Sequence, residues 1–413
     1  MKLAHSAIAC ALVFSPLGCD SESADKTPAG YDHVIAPSDN DHEAIQTVMI
    51  NAKSGDVIGL RPGTYSITRE LNLTGIADVT LKGMGATRDE VILDFADQSE
   101  GDDGITVTAG GFKVENLWIK NSPGNGIVAH SEDSTFRNIK VSWDAGSITD
   151  NGFYAVYPTD CKRTVIEDVE VTGASDAGIY VGSCEYAIVR RNKVHANVAG
   201  IEIENTRIAD VYDNEVYDNS AGILALLLPN LKIKQNTQIL FRDNEVRDNN
   251  RANFAKAGTV VASVPAGTGV LILCGTDIEV RDNTITGNDS GGVLIVSYPI
   301  LELLTGTTLD DPGMDPYVKR VYVHGNTFSD NGKAPKGGMA VVGVSPLEDV
   351  LWDGILEEGQ TDAEICLGAN PPAFRNFAAN DDFALDKQST STTGHTCVRP
   401  SLPEMETFPT VAP

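Results

Sequence analysis

The sequence predicts an all-β solenoid, a stack of similar coils rather than a string of globular domains. A fixed step is the first reason: Gly178, Gly200 and Gly222 lie 22 residues apart, each followed by an isoleucine, Ile179, Ile201 and Ile223. Secondly, Val189/Val211, Asn192/Asn214, Val194/Val216 and Asn197/Asn219 keep the same step. Several columns at one period near 22, with strand-like content, mark stacked repeats. Thirdly, stretches such as Asp78–Gly83 alternate polar and apolar residues with period two, as half-buried strands do.

In chain order, residues 1–19 predict a secretory signal, with Lys2 as the positive start and Ile8–Leu17 as the apolar core. Leu17-Gly18-Cys19 resembles a bacterial lipoprotein cleavage site, with Pro16 where an aliphatic residue is usual. The resemblance implies lipidation at Cys19, an exported chain, and a bacterial envelope location (periplasm, outer membrane or cell surface) reached through the lipid alone. Residues 20–38 read as a polar linker. Asp39–Ala52 predicts an amphipathic helix, because Ile45, Val48, Met49 and Ala52 share one face.

The string Gly55-Asp56-Val57-Ile58-Gly59-Leu60-Arg61-Pro62-Gly63-Thr64-Tyr65 follows the helix. This pairing resembles the N-terminal entry of pectin-lyase-like right-handed parallel β-helices, where a helix shields the open end of the first coil. On that resemblance residues 39–344 form a single-stranded right-handed parallel β-helix of roughly ten coils. Intervals longer than 22 predict a protruding loop at Trp143–Asn151, and either an extra irregular coil or large loops at Asn249–Thr268 and Ser297–Val318. Asparagines recur at the coil corners, among them Asn116, Asn138, Asn192, Asn214, Asn244, Asn283 and Asn326. Asparagine tolerates the left-handed turn and can bond the neighbouring coil, so these read as structural. Residues 345–413 lose the repeat and predict an irregular cap that seals the last coil or lies against its flank.

Particular strings carry a closer resemblance: Ser175–Gly182, Asn197–Asn205, Asn253-Phe254-Ala255 with Val261–Gly269, and Val293–Tyr298. They are similar to a family of bacterial exported β-helix proteins, often lipoproteins, of undetermined function. The family resemblance implies an exported cytochrome-like neighbour as a candidate partner.

Net charge is −27. Such a surface repels nucleic acid, so no nucleic-acid partner is expected. It repels anionic polysaccharide too unless a divalent cation bridges them. Cysteine use fits an oxidising compartment. Cys161 and Cys184 fall at matching places on neighbouring coils, roughly 4.8 Å apart, and are in reach of a disulfide. Cys366 and Cys397 both lie in the C-terminal segment and can staple it. Cys274 is left over, and burial is its expected place.

The candidate site follows from the alternation. Ile201 and Ile203 point inward, so Glu202 and Glu204 point outward. Aligning the coils on their glycines places Tyr154, Tyr180 and Glu202 in one outward ladder, with Arg207 at the following turn. The Trp143–Asn151 loop adds Trp143 and Asp144, and the next turn adds Asp160 and Lys162. Aromatic rings stack on sugar faces, so Trp143, Tyr154, Tyr180 and Arg207 are the expected substrate-binding residues of a polysaccharide groove. Glu202, Glu204, Asp160 and Lys162 are the candidate acid–base residues. Asp144, Glu202 and Glu204 are the candidate calcium ligands; no other cofactor is implied. Tyr157-Pro158-Thr159-Asp160 falls where β-helix alginate epimerases carry Asp-Pro-His-Asp. Only Pro158 and Asp160 match, so that activity is not carried over.

Two function classes follow. One is a carbohydrate-active protein, binding and cleaving as a lyase or glycoside hydrolase would. The other is a non-catalytic scaffold that docks a protein through Leu224, Leu226 and Leu228, which alternation places outside unless Asn249–Thr268 folds over them.

Overall fold

The computed structural model describes residues 28–306, 308–381 and 383–409. The expected signal, Cys19 and residues 20–27 of the linker lie outside the described residues.

Three parallel sheets run the length of the molecule. Sheet I has eleven strands, from His33–Ile35 to Lys319–His324, and sheet II has ten, from Gly63–Ser66 to Thr327–Ser329. Sheet III has eleven, from Arg69–Thr74 to Phe374–Asn376. The stack is longer than expected, and two of its strands fall in the stretch read as irregular cap. Val350–Trp352 pairs with Val293–Ile295, and Phe374–Asn376 pairs beyond it. The β-helix thus runs past Val344.

The interior is one apolar column. Ile179, Ile201 and Ile223 stack in register, as do Val181, Ile203 and Ala225, all buried. Helix α1, Asp41–Asn51, buries Ile45 and Met49 on the N-terminal coil. Its Gln46 side chain bonds both the N–H and the C=O of Asn72. Gln46 thereby stands in for the missing neighbour of sheet III's first strand, which would otherwise offer a bare edge. The residue before α1 makes no side-chain cap; Asp41 instead accepts from the Ser38 and Ser66 amides.

The corner asparagines form two amide ladders. Asn192, Asn214, Asn244 and Asn283 each pass a side-chain N–H to the Oδ1 of the next, the ladder ending on Asn326. Asn197, Asn219, Asn249 and Asn288 do the same, ending on Asn331. Asn116, Asn121 and Asn138 take the left-handed conformation themselves, but from Asn192 onward the residue before does, as at Arg191, Asp213, Asp243 and Asp282. The asparagine is thereby freed to point inward and close the corner's hydrogen bonds.

Cys161–Cys184 and Cys366–Cys397 are disulfides, with Cα separations of 4.5 and 5.5 Å, and Cys274 is free and buried. Beyond Cys397 the chain turns back along sheet I. The Leu402 amide donates to Glu279, the Met405 amide donates to Asp210, and Glu406 pairs with Arg190. Of the two expected arrangements, this segment takes the flank.

Sheet III is covered. Leu224 and Leu226 are 0% and 1% exposed, packed with Val261 and Val264 of the Asn249–Thr268 segment. Helix α2, Tyr298–Thr305, adds Tyr298 and Leu301 to the same outer cluster. The leucine surface that a docked protein would have used is therefore occupied by the chain's own loops.

Candidate functional site

Strand pairing resets the expected ladder. Val128 pairs with Tyr157, and Tyr154 with Ala177. Tyr180 pairs with Glu202, Glu202 with Leu224, and Gly182 with Glu204. The outward column therefore reads Val128, Tyr157, Tyr180, Glu202, Leu224, with Tyr157 in the place assigned to Tyr154. Aligning on Gly152 misplaces this coil by three residues, because Ala155, not Gly152, occupies the glycine's position opposite Gly126 and Gly178. The extra residues belong to the Trp143–Asn151 loop.

The three tyrosines nevertheless meet. Ring centroids of Tyr154 and Tyr157 are 4.6 Å apart, those of Tyr154 and Tyr180 4.5 Å, and those of Tyr157 and Tyr180 4.8 Å. Tyr180 donates its O–H to Glu204 at 2.9 Å. Gly182 makes this possible: a Cβ there would lie 2.1 Å from the Tyr180 ring, so only glycine lets the ring fold flat over the strand.

Three carboxyl groups gather under these rings: Asp176, Glu202 and Glu204, the glutamates 3% and 5% exposed. Among the described residues no lysine or arginine pairs with any of them. Burial pushes Asp176 up from the ordinary 3.8 to about 8; the charge of Glu204 adds to this, and the Tyr154 hydroxyl offsets part of it. Burial likewise raises Glu202 well above the carboxylate range, helped by Asp176 and Glu204. Glu204 is raised by burial and eased by Glu202 and Tyr180. Glu202 and Glu204 lie close enough to share a proton, and Glu202 Oε2 is otherwise buried without a partner. Three acids that cannot all ionise in one apolar place must hold protons at neutral pH. Burial lifts the tyrosine hydroxyls as well, so they too stay protonated.

This geometry corrects several expectations. Glu202 and Glu204 do not line an open groove; they are enclosed. Being in mutual contact, they do not flank a sugar at the separation an inverting acid–base pair needs. Trp143 is buried, its indole N–H donating to the Ser122 carbonyl, so it is core rather than a stacking platform. Asp144 is exposed and engages Lys120 and Asn121, not the glutamates. Among the described residues no three His, Cys, Asp or Glu side chains are grouped to hold a metal ion. Arg207 is exposed and begins a strand of sheet I, in register with Glu185 and Thr237, away from the carboxyl cluster. Asp160 is exposed and pairs with Lys232, and Lys162 pairs with Glu185. Both cap the strand end rather than face the acids.

Two members of the cluster escaped the sequence reading. Asp176 was visible as a break in its column, since Val198 and Ser220 stand one and two steps later. Tyr157 was hidden by the glycine alignment.

The chain was compared with known proteins. The model for the right handed beta helix region matches residues 103–237 and 146–304. Among curated proteins no sequence matches. Among solved structures, the A-module of a mannuronan C-5 epimerase from Azotobacter vinelandii superposes with a TM-score of 0.55 at 16% identity, over 81% of this chain and 93% of that one. A second epimerase A-module from the same organism gives 0.47 at 14% identity, over 76% and 85%. The catalytic unit of an alpha-1,3-glucanase from Streptomyces thermodiastaticus gives 0.46 at 17% identity, over 79% and 51%. With the right handed beta helix region matched across residues 103–304 and three parallel sheets running its length, the chain has the right-handed parallel β-helix fold.

Proposed function

We propose that the protein is an exported polysaccharide-binding β-helix whose glycan contacts the outer face of sheet III at Tyr154, Tyr157 and Tyr180, over the carboxyl cluster. One observation carries this. Positions that hold leucine on later coils, Leu224 and Leu226, hold Glu202 and Glu204 here, buried and without a cation among the described residues. Packing does not need such groups; leucine would fill the same place at no desolvation cost. Strongly perturbed acids gathered beside aromatic rings are a functional-site signature. The superposing epimerase A-module acts on mannuronan by its name, which supports a polysaccharide as the ligand class.

The half-buried edge of the cluster is formed by Tyr154 and Tyr157, with Phe153 exposed beside them. A glycan laid across this edge meets protonated hydroxyl and carboxyl donors. With a pKa of about 8, Asp176 holds its proton at neutral pH and is the group suited to donate it to a glycosidic oxygen. The segment around Phe254–Val264 covers the deeper acids, so cleavage requires that segment to lift, whereas binding at the tyrosine edge does not.

Export and a lipid on Cys19 complete the proposal, supported by two disulfides suited to an oxidising compartment. The test is a panel of neutral, acidic and amino-sugar glycans, with and without chelator, assayed for binding and for new chain ends. Binding of at least one class, weakened roughly tenfold or more by Tyr157→Ala, is expected. No binding to any class sinks the reading. Labelled palmitate incorporated by the full precursor, and lost in Cys19→Ala, tests the anchor.

A further inference from the structure

A cleft of about 700 Å³ opens between α1 and the first two coils of sheet III. One wall is apolar, formed by Met49, Ile50 and Ile76, and Ile50 is 65% exposed. The other wall carries Glu43, Glu70 and Glu100 against a single guanidinium, Arg69. His42 also lines it. Its Nδ1 is buried and has no hydrogen-bond partner among the described residues. Burial, with Arg69 nearby, lowers the pKa of the imidazole, which stays neutral and can exchange a hydrogen bond with a hydroxyl.

The cleft lies in line with the site above, across a buried Val128. Asn72 in its floor pairs with Thr106, Thr106 with Val128, and Val128 with Tyr157. These outward positions form one column from the cleft to the tyrosine edge, three coil steps of roughly 4.8 Å each. Thr106 is half-buried and its hydroxyl is also without a partner. A chain of sugars laid along this column advances by about one unit per coil. It would leave the tyrosine edge and end against α1.

We infer that this cleft is the terminal subsite of the glycan and that it selects an amino sugar over a uronate. The inference rests on the proposed polysaccharide reading. Three carboxylates facing one guanidinium repel a sugar carboxylate and attract an ammonium group. The apolar wall suits the C–H face of the ring, and His42 and Asn72 offer partners for hydroxyls. Around the cluster the same preference holds, because no lysine or arginine among the described residues stands there to receive an acidic sugar.

The test is calorimetric binding of three oligomers of equal length: partly deacetylated chitin, fully acetylated chitin and oligomannuronate. Deacetylated chitin is expected to bind about tenfold tighter than oligomannuronate at low salt, with acetylated chitin between. Glu43 and Glu100 are exposed, so the double variant Glu43→Gln, Glu100→Gln should keep the native melting temperature. It should cut affinity for the deacetylated oligomer about fivefold and leave the acetylated one unchanged. Equal or tighter binding of oligomannuronate overturns the inference, and so does an unchanged preference in the double variant. Tyr157→Ala separates the two claims. If it abolishes binding while the double variant has no effect, the proposed function stands and the subsite falls. If the double variant acts and Tyr157→Ala does not, glycan is held at the cleft alone and the tyrosine reading falls. No binding by any of the three overturns both.

Discussion

Sheets I and III bury acids on their outer faces in opposite ways. On sheet I, Glu167 is bonded by Arg137, Arg190 and Arg191, and Asp210 by Arg242 and the Met405 amide. The three guanidinium contacts outweigh burial and hold Glu167 down near 2. On sheet III, Asp176, Glu202 and Glu204 are equally buried and have only tyrosines and one another. One face uses its charges to fasten coils and the C-terminal strap. The other retains unpaired acids that the fold does not use. That contrast separates structural charge from candidate chemistry within a single repeating architecture.

Breaking the sheet I side should have the largest effect. Arg242→Ala leaves Asp210 buried without its cation and should destabilise by about 3–5 kcal/mol in urea unfolding. A loss below about 1 kcal/mol would mean that the pair is not structural. Sheet III should respond in the reverse direction: Glu202→Met, which fills the site with an apolar chain as leucine does on the next coil, should stabilise by about 1–4 kcal/mol. A clear destabilisation would show that the acid is part of the packing.

Gly182→Ala should come next. Its new methyl displaces the Tyr180 ring and breaks the bond to Glu204, at about 1–3 kcal/mol, without touching sheet I. An unchanged melting temperature together with unchanged glycan binding would contradict the role given to that ring.

The pH response should be the mildest effect, and its sign differs between the faces. Asp176 is protonated in the folded chain up to about 8, whereas the unfolded chain ionises from 3.8. Its contribution to stability is complete below 3.8 and is lost as pH rises towards 8. Glu167 contributes fully above the ordinary 4.5 and loses its contribution as pH falls towards 2. From pH 4.5 to about 8, where only the sheet III acids titrate, the melting temperature should fall by a few degrees as pH rises, and Asp176→Asn should flatten the slope. Glu202 and Glu204, also raised by burial, carry what slope remains; a slope unchanged in Asp176→Asn would locate the titrating group elsewhere.

How much of this was legible in the sequence depended on whether a feature repeats. The 22-residue step, the inward isoleucines and the asparagine corners recur, so the solenoid and its inner and outer faces could be read directly. The Cys161–Cys184 disulfide followed from coil stacking, and Cys366–Cys397 from their shared place in the C-terminal segment. The site depended on residues that break the repeat. Glu202, Glu204 and Tyr180 were found because they interrupt a column. Tyr157 was missed because a loop insertion shifted one coil against its glycines. Trp143 and Asp144 were assigned to the site because a protruding loop reads as exposed, while the indole in fact turns inward to the Ser122 carbonyl. The enclosure of the acids was legible only in part: Asn249–Thr268 was seen as a segment that could fold over the leucines of the following coil, but not over the tyrosines and acids beside them.

The most direct measurement is glycan binding by Glu202→Gln, made alongside its melting temperature and using the ligand found in the panel. If the sheet III cluster is the site, affinity falls roughly tenfold or more while the melting temperature holds or rises. Full affinity in this variant, or a loss that only tracks unfolding, would contradict the assignment and leave the buried acids without a functional role.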